Sequence, residues 1–212
     1  MKKAVLSILT FVFSATLTAQ ELKPVTGEQQ KAMTERITEA SAKMKSLSCD
    51  FEQVKELSIL DEKMISKGKM NYRQESRLRW EYLEPYTYLF VLNDKKLLMQ
   101  AETTRNVMDV KSSKMFQEIV KIMMNSINGK GLTEIESFDN KYFTQGNKWV
   151  VELIPTQKEI KRIFSSITLT FNINDYTIDN VKLFEQNGDN TIITLLNKQF
   201  NKEIGDSVFH ID

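Results

Sequence analysis

The stretch from Lys67 to Met99 has the clearest pattern of apolar and polar positions in the chain. Charged residues alternate with apolar or aromatic ones from Arg77 to Tyr82, and Met70 and Tyr72 alternate with polar neighbours just before them. A period of two predicts strands that have one buried face and one face in water. Glu84-Pro85 ends the second of these strands, because proline has no N–H to donate to a sheet. The stretch therefore predicts an antiparallel meander whose apolar face carries large side chains.

The same alternation predicts further strands on both sides of the meander. One strand begins at Leu47, and a hairpin connection spans Ile59–Ile65. Gly146-Asn147, a two-residue turn signal whose residues both favour positive φ, predicts a later hairpin, and Asn187-Gly188-Asp189 predicts another. The other predicted strands are Asn106–Val110, Tyr142–Thr144, Lys148–Ile154, Ser166–Phe171, Ile178–Glu185, Thr191–Phe200 and Val208–Ile211. Together with two helices, these strands predict a mainly β fold of the α+β class.

An amphipathic helix is predicted near the N-terminus. Apolar residues recur at helical spacing from Met33 to Met44, behind a Thr26-x-x-Gln29 motif that resembles a capping box. These signals predict a helix over residues 28–46.

A second helix is predicted from Ser113 to Asn128, between serine residues that can cap it and Gly129. Its apolar positions cover an arc of roughly 200°, about twice the stripe that one buried face needs. Two interpretations remain open. The helix is either buried deep in a core, or it touches the sheet on one side and a ligand on the other. Three Met residues in the segment suit a ligand of irregular apolar shape.

The N-terminus has the pattern of a secretory signal peptide. Lys2 and Lys3 precede an apolar run from Ala4 to Phe13, and a segment of small residues ends at Ala19. The apolar run is too short to span a bilayer comfortably. We therefore expect residues 1–19 to be a cleaved signal peptide and residues 20–212 to form a single domain.

Charge and cysteine content exclude some functions of this exported chain. Without Lys2 and Lys3 it has 27 basic and 28 acidic residues. This balance lacks the excess of positive charge that is typical of nucleic-acid-binding proteins. Cys49 is the single cysteine, so no internal disulfide can form. We expect Cys49 to pack as a small hydrophobic residue.

The sequence offers little for catalysis. The single histidine, His210, lies two residues from the C-terminus in a predicted strand. The chain contains no G-x-S-x-G elbow, no H-E-x-x-H, no glycine-rich phosphate loop and no C-x-x-C. We expect a protein that is not an enzyme and that uses no metal or cofactor.

The large side chains of the strands and of the second helix offer a binding site instead. An apolar ligand held between a curved sheet and a helix rich in methionine would explain the wide apolar arc of that helix. An ordinary hydrophobic core is the alternative. The expected cavity residues are Phe51, Met70, Tyr72, Leu78, Trp80, Tyr82, Phe90, Leu92, Phe116, Ile119, Met123 and Ile127.

Several motifs in residues 47–99 occur together in one known family. They are Leu47-Ser48-x-x-Phe51-x-Gln53, Ser66-x-Gly68-x-Met70-x-Tyr72, Leu78-Arg79-Trp80-x-Tyr82-x-x-Pro85 and Leu92-Asn93-Asp94-Lys95-x-Leu97. The terminal Ser207-Val208-Phe209-x-Ile211 also fits. In these residues the chain resembles the periplasmic outer-membrane lipoprotein carriers of the LolA family.

The resemblance implies a fold and a function. The family has an open half-barrel of antiparallel strands with helices covering its concave face. Its members receive the acyl chains of lipoproteins from an inner-membrane lipoprotein-releasing transporter and deliver them to an outer-membrane receptor. For this chain the resemblance implies a monomeric carrier in the periplasm. A LolA-like sensor or scaffold that binds a protein partner, without lipid transport, is the alternative.

The resemblance also implies a lid held by an arginine. In the carriers a basic residue followed by proline precedes the Leu-x-Trp strand and helps to hold the lid shut. Arg73 is the nearest basic match in this chain, and Glu75 stands where proline is expected. Arg73 is therefore the candidate for closing the lid.

Overall fold

The computed structural model describes residues 21–60, 62–112, 117, 120, 124, 127 and 137–211. The expected signal peptide, residues 1–19, lies outside this range. Of the second predicted helix the structure describes Gln117, Val120, Met124 and Ile127, and all four are helical.

The described residues form one sheet of twelve strands. Helix α1, Glu28–Lys43, lies between the first two strands in sequence, and a short helix, Lys158–Lys161, precedes the tenth. Two 3-10 turns cover Val110–Ser112 and Asp206–Phe209. The strands are β1 Lys23–Pro24, β2 Ser46–Leu57, β3 Glu62–Arg73, β4 Arg77–Glu84, β5 Tyr88–Asn93, β6 Lys96–Ala101, β7 Arg105–Asp109, β8 Phe138–Gln145, β9 Lys148–Pro155, β10 Phe164–Asn172, β11 Ile178–Glu185 and β12 Asn190–Phe200.

The sheet is antiparallel and open. Its strands lie in the order β1-β8-β9-β10-β11-β12-β2-β3-β4-β5-β6-β7. Strands β2 to β7 form one meander, of which β3 to β6 are the predicted part. Strands β8 to β12 form a second meander, which joins the first where β12 pairs with β2. The end strands β1 and β7 do not pair with each other, so the sheet is an open half-barrel. This architecture confirms the predicted fold class.

One face of the sheet carries most of the core. This concave face packs against Met33 and Ile37 of α1, which are almost fully buried. The strands contribute every second residue to it, as the alternation predicts, including Leu78 and Trp80 of β4 and Val151 and Leu153 of β9. The buried face of β4 is therefore the one that the sequence pattern assigned.

The opposite, convex face has its own apolar cover. Val91 of β5 and Leu98 of β6 are buried there against Ile204, Phe209 and Ile211 of the C-terminal segment, residues 201–211. The side chains of Arg77 and Arg79 are only about a quarter exposed on this face. The face that the alternation predicted to lie in water is therefore partly covered.

Three local predictions are wrong. Val208–Ile211 does not form an edge strand, because Asp206–Phe209 adopts a 3-10 turn that buries Phe209 against β5 and β6. The capping box does not form either: Gly27 is the N-cap of α1, and no side chain caps the helix. In the Gly146-Asn147 turn only the glycine has a positive φ.

Candidate ligand-binding cavity

The concave face holds an apolar cavity of about 430 Å³. Ligand-binding pockets in proteins typically measure about 300–1,000 Å³, so its size is that of a binding site. Thirteen described residues line it, and twelve of them are apolar or aromatic. The cavity lies where the two meanders meet at β12 and β2.

The first meander supplies an aromatic wall. Trp80 pairs with Met70 on one side and Phe90 on the other, while Tyr82 pairs with Gly68 and Tyr88. This register places the rings in one continuous series: the Phe51 centroid lies 4.4 Å from Trp80 and 5.1 Å from Tyr82. The Tyr82–Tyr88 and Tyr88–Phe90 centroids are 6.4 and 5.8 Å apart. The last three distances fall in the range of favourable aromatic pairs, and the Phe51–Trp80 distance lies at its lower limit.

The second meander supplies a mostly aliphatic wall. It consists of Phe164, Ile178, Val181, Leu183, Ile193 and Leu195. Val181 and Ile193 are direct cross-strand partners, and Leu195 pairs with Phe51 across β12 and β2. These residues were not predicted as part of the site, because β12 has apolar residues on both sides of Ile193 and Leu195 and its sequence does not mark the cavity face.

A polar pair interrupts the apolar lining at one end. The Tyr82 hydroxyl donates a hydrogen bond of 2.9 Å to Oε1 of Gln53. Burial raises the pKa of Tyr82 above its usual value, and the neighbouring side chains of Trp80 and Gln53 offset this only in part. The phenol is therefore protonated at neutral pH and can act as the donor.

A charged pair lies beyond the polar pair, towards the C-terminal end of strand β2. Lys55 follows Gln53 by two residues on the same face of β2, and its Nζ lies 3.1 Å from Oε1 of Glu185 on β11. Both side chains are partly exposed. The concave face thus changes along β2 from apolar at Phe51, through an amide at Gln53, to charged at Lys55.

The predicted cavity residues fall into three groups. Five line the cavity: Met70, Trp80, Tyr82, Phe90 and Ile127. Four are almost fully buried in the concave face without bordering the open volume: Phe51, Tyr72, Leu78 and Leu92. Three lie outside the described residues: Phe116, Ile119 and Met123.

The candidate lid-closing arginine is on the convex face. Nη1 of Arg73 donates a hydrogen bond of 2.6 Å to the carbonyl oxygen of Ile204, and Nη2 bonds the carboxylate of Asp206. Its guanidinium also lies 5.2 Å from the ring centroid of Phe209. Within the described part of the chain, these contacts attach Arg73 to the C-terminal segment and not to the cavity.

Two further observations concern the part of the chain that the structure describes. In that part no three side chains of the metal-binding types come together. No helix found there has the length and the apolar character that crossing a membrane would require.

The open sheet with a helix and an apolar cavity on its concave face defines a half-barrel protein that encloses an apolar site. The profile of the family described as outer membrane lipoprotein carrier protein LolA matches residues 42–212. The chain belongs to this family, as the motifs of residues 47–99 indicated. A search of curated proteins gives no significant match.

Solved structures share the fold at low sequence identity. An uncharacterised conserved protein from Thermus thermophilus is 7% identical, with a TM-score of 0.51, over 85% of this chain and 93% of that chain. The MucA/MucB complex of Pseudomonas aeruginosa gives 12% identity and a TM-score of 0.51 over 86% of this chain and 60% of that chain. A LolA superfamily protein from Nitrosomonas europaea gives 6% identity and a TM-score of 0.45 over 85% and 97% of the two chains.

Proposed function

We propose that this protein is a periplasmic carrier that holds an acyl chain of a lipoprotein in the cavity and moves it from the inner to the outer membrane. The cavity is the observation that carries the proposal, because its walls are apolar and its volume suits a hydrocarbon chain. A water molecule occupies about 30 Å³ in the liquid, and a methylene group is of similar size. The cavity therefore accommodates about 14 such groups, roughly one acyl chain.

Carriage requires a donor and an acceptor. We propose an inner-membrane lipoprotein-releasing transporter as the donor and, where one is present, an outer-membrane lipoprotein receptor as the acceptor. Ile59, Leu60 and Tyr86 are exposed at the end of the sheet where Gln53 and Tyr82 line the cavity. Apolar side chains beside a cavity mouth would let an acyl chain pass between two proteins with less exposure to water.

We propose that the carrier acts as a monomer and without catalysis or a cofactor. Residues 20–212 would form its single domain after removal of residues 1–19. The helix Ser113–Asn128 would serve as the lid, with Ile127 as its described contact to the cavity.

Mass spectrometry of the mature protein, purified without detergent from the periplasm of an expressing bacterium, tests this function. We expect an unmodified N-terminus at Gln20, and bound acylated molecules that organic solvent releases. A Trp80→Glu variant should lose the lipid, because a carboxylate in the cavity wall penalises hydrocarbon. Folded wild-type protein that contains no lipid and takes none up from lipoprotein-loaded membranes would contradict the proposal.

A sensor or scaffold that binds a protein partner is the second candidate. One solved structure with this fold is a complex of two proteins, MucA and MucB, and this observation favours the second candidate. A partner captured equally by the wild type and by Trp80→Glu, in the absence of lipid, would support this alternative.

A further inference from the structure

Gln53 is the one amide among the described side chains that line the cavity. An amide in an apolar wall needs hydrogen-bond partners, because burying it unpaired is costly. Its Oε1 accepts the hydrogen bond of 2.9 Å from the Tyr82 hydroxyl. Among contacts between described residues, its Nε2 makes no hydrogen bond, so two N–H groups remain for a ligand.

The hydrogen bond from Tyr82 fixes which end of the amide is available. A protonated phenol directs its hydrogen at an acceptor, and the acceptor end of a carboxamide is Oε1. The aromatic series holds the Tyr82 ring in place, since its centroid lies 5.1 Å from Phe51 and 6.4 Å from Tyr88. Nε2 is therefore presented as a donor by a side chain that is already oriented.

The surroundings of Gln53 indicate which end of a ligand would point into the cavity. Along β2, Phe51 lies on the inner side of Gln53, and Lys55 lies on the outer side with its partner Glu185. Across the sheet, Ile193 pairs with Gln53 and Leu195 pairs with Phe51. A molecule that matches this sequence of surfaces has an apolar tail, then a hydrogen-bond acceptor, then a polar head.

We propose that Gln53 recognises the acyl carbonyl of the cargo, with Nε2 donating to the carbonyl oxygen of an ester or amide linkage. This inference rests on the proposed carrier function and adds a specificity-determining residue to it. The tail then runs inward past Leu195 and Met70, while the head lies near Lys55 and Glu185. Gln53 thereby distinguishes acyl chains from plain hydrocarbon and sets how far the chain enters.

Two lipids that differ only in the carbonyl provide the test. Palmitoyl lysophosphatidylcholine has a carbonyl group at the position where its hexadecyl ether analogue has a methylene group. Each is titrated below its micelle concentration into delipidated mature protein, and the dissociation constant is measured by calorimetry. The wild type should bind the ester about three- to tenfold more tightly, the range of one neutral hydrogen bond.

Variants assign that preference to Gln53. Gln53→Met has a similar shape without the donor, and it should bind both lipids with the affinity that the wild type has for the ether. Gln100→Met is the matched control, because Gln100 is exposed on β6, and it should keep the preference. Tyr82→Phe frees the amide to rotate and should reduce the preference in part, which keeps the test decisive if Gln53→Met does not fold.

The outcomes separate this inference from the proposed function. Wild-type protein that binds both lipids equally, or Gln53→Met protein that still prefers the ester, would overturn the role of Gln53 and leave the carrier function intact. Wild-type protein that binds neither of these lipids, and that also contains no cellular lipid, would refute both.

Discussion

Gly68 is the residue at which the sheet has no room for a side chain. A Cβ atom built there would lie 2.0 Å from the carbonyl oxygen of Glu81 and 2.5 Å from Cζ of Phe51. The Phe51 ring occupies the space above Gly68, in the register that also pairs Gly68 with Tyr82. The glycine therefore allows the aromatic wall of the cavity to form.

Gly68→Ala should consequently lower the free energy of unfolding by about 3 kcal/mol or more, at the upper end of overpacking in a core. Urea denaturation followed by circular dichroism measures the change. Gly205→Ala is the control, since its Cβ would meet only Ser207 Oγ at 3.7 Å, and it should change stability by less than about 0.5 kcal/mol. Equal effects of the two substitutions would contradict the steric argument.

Cys49 is a buried thiol on β2 that we expect to be inert in the folded protein. Burial, and to a lesser extent the charge of Asp50, raises the pKa of Cys49 to about 12 from its ordinary value of 9.0. At pH 8 the folded state thus has about a thousandfold less thiolate than the unfolded state. Reaction with a thiol-specific disulfide reagent should be slow in buffer and fast in urea.

The raised pKa of Cys49 also makes the stability of the protein depend on pH. The folded state keeps the Cys49 proton between about pH 9 and 12, where the unfolded chain loses it. This contribution to stability is complete below pH 9 and is lost as the pH rises through that window. Fast labelling of the native thiol at pH 8, or a diacylglyceryl group on Cys49, would contradict this account.

Strand β4 shows how far the alternation alone predicts an element. Leu78 is 3% exposed on the concave face, whereas Arg79 lies on the convex face with its side chain 25% exposed and 3.1 Å from Glu81. Leu78→Glu should therefore lower the free energy of unfolding by about 3 kcal/mol or more. Arg79→Glu should lower it by less than about 1 kcal/mol. Similar losses in urea denaturation would rule out the one-sided strand.

The C-terminal segment is an element that the alternation did not predict correctly. Arg73, Arg77 and Arg105 contact Asp206 or the carbonyl oxygens of Ile204 and Ile211, and the amide of Asn93 donates to the carbonyl oxygen of Phe209. These residues belong to four strands, so the segment crosses β3 to β7 on the convex face. Polar side chains that the alternation predicted to face water therefore bind this segment to the sheet.

Phe209 is the most deeply buried apolar residue of this segment, with an exposure of 0%. Phe209→Ala should lower the free energy of unfolding by about 3–5 kcal/mol, as for other buried phenylalanines. Asp206→Asn should cost less than about 1 kcal/mol, because the side chain of Asp206 is 79% exposed. Thermal denaturation of both variants checks this, and a larger loss from Asp206→Asn would mean that ion pairs, not packing, hold the segment.

Local sequence patterns predicted the strands better than they predicted what covers them. A period of two is a property of six to eight neighbouring residues, so the bounds of β4, β10 and β11 were visible within a few residues. Which remote segment lies on a strand depends on topology, as with Phe209 on β5 and β6. The wall of the cavity from the second meander was missed for the same reason, since Ile193 and Leu183 have the pattern of any buried strand.

At the scale of the whole molecule, a carrier must release what it binds. Burying about 14 methylene groups at about 0.8 kcal/mol each would contribute about 11 kcal/mol before ordering costs. This corresponds to a dissociation constant on the order of 10 nM for one chain. An apolar element that covers the cavity when no chain is present would offset part of this gain, because the chain must displace it.

The predicted helix Ser113–Asn128 is the candidate for that element. Of its described residues, Met124 and Ile127 are buried with the concave-face residues, and Gln117 is exposed. Contacts of Ile127 with the cavity would be exchanged for contacts with an acyl chain during loading. Methionine side chains can repack in this way at low cost.

Hydrogen exchange measured on delipidated and on lipid-loaded protein tests the lid. Amide protection in residues 115–127 should change on loading by more than protection in residues 76–83, since the strand keeps the same partners in both states. Peptides from α1 serve as an internal reference, because Met33 and Ile37 pack on the sheet outside the cavity. Equal protection of residues 115–127 in both states would make the helix an ordinary part of the core. The carrier would then have to release its cargo through incomplete burial of the chain.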